Sequence, residues 1–144
     1  MSEAAERGKQ QVAALCWRMS PALEVLLVTS LKTQRWIVPK GWPHDGMSLA
    51  QSAAIEAAEE AGVTGEVAAL PLGHYRYIKD KQGAALPIRV EVFALKVTAQ
   101  AESWPEKGTR KLLWLPPDQA AGRVAETGLK NILTNFRASR VSVA

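Results

Sequence analysis

Apolar positions along the 144-residue chain fall mostly into short runs separated by polar turns. Val12-Ala13-Ala14-Leu15-Cys16-Trp17 is unbroken and of strand length, the pattern of a strand buried on both faces. Ser20-Pro21 marks a turn. Leu23 to Thr29, rich in Val and Leu, predicts a second strand in a hairpin with the first. Arg35 to Val38 is a third extended piece, kept out of helix near its end by Pro39, because a residue before proline disfavours the α region.

From Lys40 to Gly46 the residues Lys-Gly-Trp-Pro-His-Asp-Gly predict a loop with tight backbone requirements. A helix follows at Leu49–Ala61. Ser48 and Gln51 have capping-box spacing, the interior is dominated by strong helix formers, and Gly62 stands where a left-handed residue would close the last turn. Two longer strand-like regions come next, about 66–79 and 88–98, joined by a polar turn with Asp80, Lys81, Gln82 and Gly83. Lys111 to Leu115 predicts another short strand, ended by Pro116-Pro117. Leu129, Ile132, Leu133 and Phe136 recur at i, i+3, i+4 and i+7, which predicts an amphipathic helix packed on the sheet. The expectation is an α+β fold, a mixed sheet with helices packed on it in α/β/α layers. It comprises a polar, flexible segment 1–9, one domain over 10–138 and a tail 139–144.

Bulk composition narrows this picture only a little. The chain is 47% hydrophobic and 22% charged, as in ordinary globular proteins. The single cysteine, Cys16, excludes an internal disulfide and lies in an apolar run, where it reads as a small buried hydrophobe. The polar start and the lack of a long apolar run predict a cytoplasmic protein that does not enter a membrane. A net charge of +4 makes an anionic partner plausible. Nucleic acid is the weaker choice of partner, since the chain has no zinc-finger spacing, no aromatic RNA-binding block and no dense Lys/Arg run.

The predicted helix carries the chemistry. At about 100° per residue, Glu59 lies about 60° from Glu56 in one sense and Glu60 about 40° in the other, so three carboxylates share one face. Like charges at i,i+4 repel, and anions in a last turn oppose the helix dipole. Alone, such a triplet usually marks a solvated acidic face. A hard divalent cation, which prefers oxygen ligands, is the other way to offset the charge.

The surroundings favour the cation. From Gly41 through Glu56-Ala57-Ala58-Glu59-Glu60-Ala61-Gly62-Val63 the chain resembles the Nudix box, Gly-x5-Glu-x7-Arg-Glu-U-x-Glu-Glu-x-Gly-U with U apolar. The preceding Arg35-Trp36-Ile37-Val38-Pro39-Lys40 resembles the strand that enters this box. The resemblance implies a mixed sheet sandwiched between helices. It also implies Gly41 (through its carbonyl), Glu56, Glu59 and Glu60 as ligands of Mg²⁺ or Mn²⁺, and attack by metal-activated water on a diphosphate linkage. Two positions depart from the box: Met47 stands for its first Glu and Ile55 for its Arg. Losing both avoids leaving either charge buried without its partner, and a methionine-isoleucine contact would hold loop to helix instead. The departures keep open a second reading, a Nudix-fold binder of nucleotide or polyphosphate with weak or no turnover.

Outside the box, residues Val12 to Arg18 and Trp104-Pro105-Glu106 ahead of Arg110-Lys111-Leu112-Leu113-Trp114 resemble the diphosphoinositol polyphosphate phosphohydrolase branch, which also takes dinucleoside polyphosphates. Where that branch clusters basic residues at its first strand, this chain has Lys9-Gln10-Gln11, which weakens a clamp for a fully phosphorylated inositol. By the same resemblance Glu106 would add a catalytic carboxylate. Lys40 beside the box, Arg35 and Arg110 are candidate phosphate contacts. Arg76, Arg89 and Lys111 are wider candidates for the same rim. Trp42 is a candidate base-stacking wall, and Glu91 in its strand a candidate site-facing carboxylate. His44 lies in the same loop as Trp42 and could approach substrate, although a lone loop histidine is more often solvent-exposed, and His74 is assigned no role. The expected partner is a small phosphoanhydride compound, bound by a monomer or homodimer.

Overall fold

Val12, Ala14 and Cys16 point to one side of the first strand and Ala13, Leu15 and Trp17 to the other, and all six are buried, so helices must cover both sides. The computed structural model describes residues 9–138 and bears this out. Apart from Lys9, the expected flexible start and tail lie outside those residues. Strand β1 (Gln10–Met19) runs antiparallel to β2 (Leu23–Thr29), giving the expected hairpin. Beyond β2 lie β3 (Trp36–Ile37) and, as a second partner, β8 (Leu112–Leu115). On its other side β1 pairs in parallel with the long β7 (Ala84–Gln100), whose far edge takes β5 (Val63–Val67) and β6 (Gly73–Lys81), both antiparallel. The sheet is therefore mixed, with eight strands.

Helix α1 (Leu49–Ala61) covers one face, where Ala53, Ala57 and Ala61 meet Val12, Ala14, Leu26, Phe93 and Leu95. Helices α2 (Pro117–Ala121) and α3 (Thr127–Asn135) cover the other, where Leu129, Leu133 and Phe136 meet Leu15, Leu27, Val90 and Val92. This is the α/β/α arrangement expected from the sequence. None of the helices among the described residues is long and apolar enough to cross a membrane.

Several element boundaries differ from expectation. The strand-like region 66–79 is two strands, because the chain turns at 68–72, around Pro71, before β6 begins. It stays beside β7 through the break, with Ala68 N–H donating to Ala94 O and Leu72 N–H to Val92 O. The expected loop 40–46 begins with a short strand, β4 (Lys40–Gly41), paired with Val12 and Ala13. Pro117 does more than end a strand: it opens α2 at a first-turn position where a missing N–H costs nothing. Gln82 and Gly83, both at positive φ, reduce the polar turn between β6 and β7 to two residues.

Candidate functional site

Helix α1 is fixed at both ends. Ser48 Oγ accepts from Gln51 N–H at 3.1 Å and Ser48 N–H donates to Gln51 Oε1 at 3.0 Å, closing the capping box. At the other end Gly62 adopts φ 69°, and a Cβ there would lie 2.3 Å from the Trp104 ring, so glycine is demanded twice. A buried stripe of small residues, Ala50, Ala53, Ala57 and Ala61 with Ser52 beside them, lets the helix lie close to the sheet. Its glutamates are thereby drawn inward: Glu60 is 3% exposed, and Glu56 and Glu59 are half-buried.

Each carboxylate has a different neighbour. Glu56 packs against the Gly41 backbone so tightly that a Cβ at that position would sit 2.2 Å from Glu56 Oε1. Its other oxygen is 2.8 Å from His44 Nε2, and His44 is itself held by its backbone N–H donating to Ser52 Oγ. Glu106 reaches the end of α1 through a backbone contact, Glu106 N–H to Glu59 O at 3.1 Å. The Arg110 guanidinium donates to Glu106 Oε1 at 2.8 Å and to Thr29 O at 2.9 Å, and lies 3.7 Å from Glu60 Oε1. Glu60 Oε1 is buried and accepts no hydrogen bond.

Burial pushes the Glu60 carboxyl up to about 8; Arg110 pulls against this, while Glu56 and Glu106 add to it. Without metal, then, burial favours the protonated form of Glu60. That proton contributes stability fully present below the ordinary carboxyl range and lost as pH rises through the raised value. In EDTA the melting temperature is expected to fall between about pH 5 and pH 9, and Glu60→Gln to flatten that slope. An unchanged slope in the variant would show that Glu60 does not hold the proton.

The donor set suits a hard cation. All the candidate ligands are oxygens, one of them is orphaned in the interior, and a positive charge would offset both the burial of the Glu60 carboxylate and its repulsion by Glu56 and Glu106. Among the described residues no three His, Cys, Asp or Glu side chains already converge on one point. Glu106 is instead drawn to Arg110 and Glu56 to His44.

The other candidates divide. Lys40 Nζ donates to Tyr77 OH at 3.2 Å, and Tyr77 OH donates to Gln11 Oε1 at 2.7 Å. Burial lowers the Lys40 ammonium from its ordinary value, with Glu60 opposing. Trp42 is 41% exposed, with Lys79 Nζ 5.3 Å above its ring. Arg110 turns inward to the carboxylates rather than standing on a rim, and Arg35 faces Glu126 across 3.6 Å. Glu91 pairs with Arg89 at 2.9 Å on the face that carries Phe93 and Leu95, and so does not join Lys40 and Tyr77. Met47 is 48% exposed, so a glutamate there would be solvated, and its loss does not need to be coupled to that of the Arg at 55.

Sequence reasoning assigned no structural part to His44, Tyr77 or Gln11. His44 lies in the glycine loop, and that was the one available signal. A separate cleft of about 440 Å³ between Leu72 and the end of α3 contains none of these residues.

A sheet layered between α1 and the α2–α3 pair, with a glycine loop feeding a glutamate-lined helix, defines a Nudix-type protein. Residues 9–136 match the Nudix domain, and the chain belongs to the Nudix hydrolase family. It is 37% identical over 103 residues to Nudix hydrolase 12, mitochondrial, of Arabidopsis thaliana, covering 68% of this chain and 50% of that protein. Over 115 residues it is 35% identical to the Bos taurus diphosphoinositol polyphosphate phosphohydrolase 3-beta, covering 78% and 66%. The chain thus spans about half to two thirds of these relatives' length. Among solved structures it superposes on a Nudix hydrolase from Nitrosomonas europaea with TM-score 0.71 at 16% identity, covering 94% and 92% of the two chains. The C. elegans Ap4A hydrolase gives TM-score 0.61 at 18% identity, covering 87% and 92%. These two show a shared fold.

Proposed function

We propose that the protein hydrolyses a diphosphate linkage in a phosphorylated metabolite, with Glu56, Glu59, Glu60 and the Gly41 carbonyl holding Mg²⁺ or Mn²⁺. The observation that carries this reading is the orphaned Glu60 Oε1, buried beside two further carboxylates, with Arg110 the main charge opposing them. The bound cation would supply a Lewis acid that lowers the pKa of a water and offsets charge on phosphoryl oxygens. The chain's own residues do the positioning. His44 fixes the Glu56 carboxylate, and Arg110 holds Glu106 at the end of α1. Lys40, held by Tyr77, would be the cation that meets a substrate phosphate.

Kinship supports phosphoanhydride chemistry of this kind, since relatives are named as diphosphoinositol polyphosphate phosphohydrolases and a protein of the same fold as an Ap4A hydrolase. The test is product release from dinucleoside polyphosphates, nucleoside triphosphates, nucleotide sugars and diphosphoinositol phosphates, with Mg²⁺ or Mn²⁺ and with EDTA. Turnover that needs the metal is expected with at least one class. Binding without turnover throughout would favour the inactive binder that the Met47 and Ile55 departures motivate, and full activity in EDTA would exclude the metal role.

A further inference from the structure

Helix α1 carries three glutamates on one face but no lysine or arginine, and Ile55 stands where the Nudix box has its arginine. A cation for the buried end of this face has to come from another element. Arg110, between β7 and β8, provides it: its side chain is 10% exposed, with Nε 2.8 Å from Glu106 Oε1 and 3.7 Å from Glu60 Oε1. The guanidinium is anchored independently of Glu60. Nη1 donates to Thr29 O at 2.9 Å, and the next residue is tied to the same strand end, Lys111 N–H donating to Thr29 Oγ1 at 2.9 Å.

The ties of Arg110 to the two carboxylates are unequal. Its Nε–H is given to Glu106, and the contact with Glu60, at 3.7 Å, is an ion pair without a hydrogen bond. An arginine can grip a carboxylate with two parallel hydrogen bonds, and Arg110 gives Glu60 neither. What draws Glu60 to Arg110 is therefore charge. A divalent ion offers twice that charge and bonds directly to oxygen, so it and the guanidinium compete for the same carboxylate. The bonds to Glu106 and Thr29 do not depend on the Glu60 contact, so Arg110 can keep its place while Glu60 turns to the ion.

We propose that Arg110 is a positioning residue of the metal site: it is the counter-cation of Glu60, it competes with the divalent ion for that carboxylate, and it thereby weakens metal binding. This rests on the metal reading above. The alternative role is a clamp that shapes the ligands for the ion, and the two roles differ in sign. Removing a clamp weakens metal binding. Removing a competitor strengthens it, because a unit positive charge within about 4 to 6 Å of a carboxylate changes the affinity of that carboxylate for a cation by about 10- to 1000-fold.

The experiment titrates wild type, Arg110→Met and Arg110→Lys with Mn²⁺ by calorimetry at pH 8, without substrate. Methionine fills the space without charge, and lysine keeps the charge without the planar fork. Mn²⁺ is expected to bind Arg110→Met about 10- to 100-fold more tightly than wild type, and Arg110→Lys close to wild type. In EDTA, Arg110→Met is expected to melt below wild type, since Glu60 and Glu106 lose their partner, and saturating Mn²⁺ to raise its melting temperature more than it raises that of wild type. Equal or weaker Mn²⁺ binding in Arg110→Met, or a tightening shared equally by Arg110→Lys, would overturn the proposal and leave the metal reading standing. If neither wild type nor Arg110→Met binds Mn²⁺, both fall together. Binding by Arg110→Met with none by wild type would uphold the proposal, as competition in its extreme form. Should Arg110→Met fail to fold, Arg110→Gln, which can still donate to Glu106, decides on the same criteria.

Discussion

Glu60→Gln is expected to lower kcat/KM by at least about 100-fold while raising the melting temperature in EDTA at pH 8. The amide keeps the size and shape of the side chain and can donate to the neighbouring Glu56 carboxylate, so the buried space stays filled and polar. What disappears is the negative charge proposed to bind the cation. Around pH 8 the wild-type carboxyl must either hold a proton or place a charge in a 3% exposed position beside Glu56 and Glu106, and the variant avoids both. Turnover with Mg²⁺, together with melting curves in EDTA, separates chemistry from folding. Near-normal turnover in a folded variant would mean that Glu60 is no part of the mechanism.

Gly41→Ala should be nearly as damaging to activity, for a steric reason. The new methyl would be 2.2 Å from Glu56 Oε1 and 2.5 Å from its Cδ, and the yielding partner is the end of a flexible side chain rather than backbone. Glu56 is expected to swing away, losing its 2.8 Å contact with His44, while the fold survives. We expect activity to fall by about 10- to 100-fold, with a stability change within about 1 kcal/mol. The double variant Gly41→Ala, Glu56→Gln should be no worse than Glu56→Gln alone, because both changes act on one carboxylate. Losses that multiply would show that Gly41 acts by another route.

Local rules made α1 legible in advance. Ser48, Gln51 and Gly62 bound it within one turn of sequence, and the helix period alone placed Glu56, Glu59 and Glu60 on one face. The α3 stripe was equally plain from Leu129, Leu133 and Phe136. Topology determined the rest. β5 and β6 blend into one apolar-rich stretch until β7 is seen to pair with both, and β4 is strand only because β1 lies beside it. The same holds for side chains. Arg110 is a candidate phosphate contact in the sequence, and only the folded loop turns it toward Glu60 and Glu106; no spacing rule links Gln11 to Tyr77.

The strand β7 has a consequence for how quickly the protein reaches this structure. It joins β1 in a parallel ladder from Gln10↔Arg89 to Trp17↔Lys96, segments separated by more than half the chain, and it is also the strand on which β5 and β6 assemble. Closing so long a loop costs entropy before any of these pairings repays it, which slows two-state folding. The α1 helix and the β1–β2 hairpin, built from near neighbours in sequence, can form first. The carboxylate helix would then exist before the sheet that positions it, and docking of β7 on β1 would set the refolding rate.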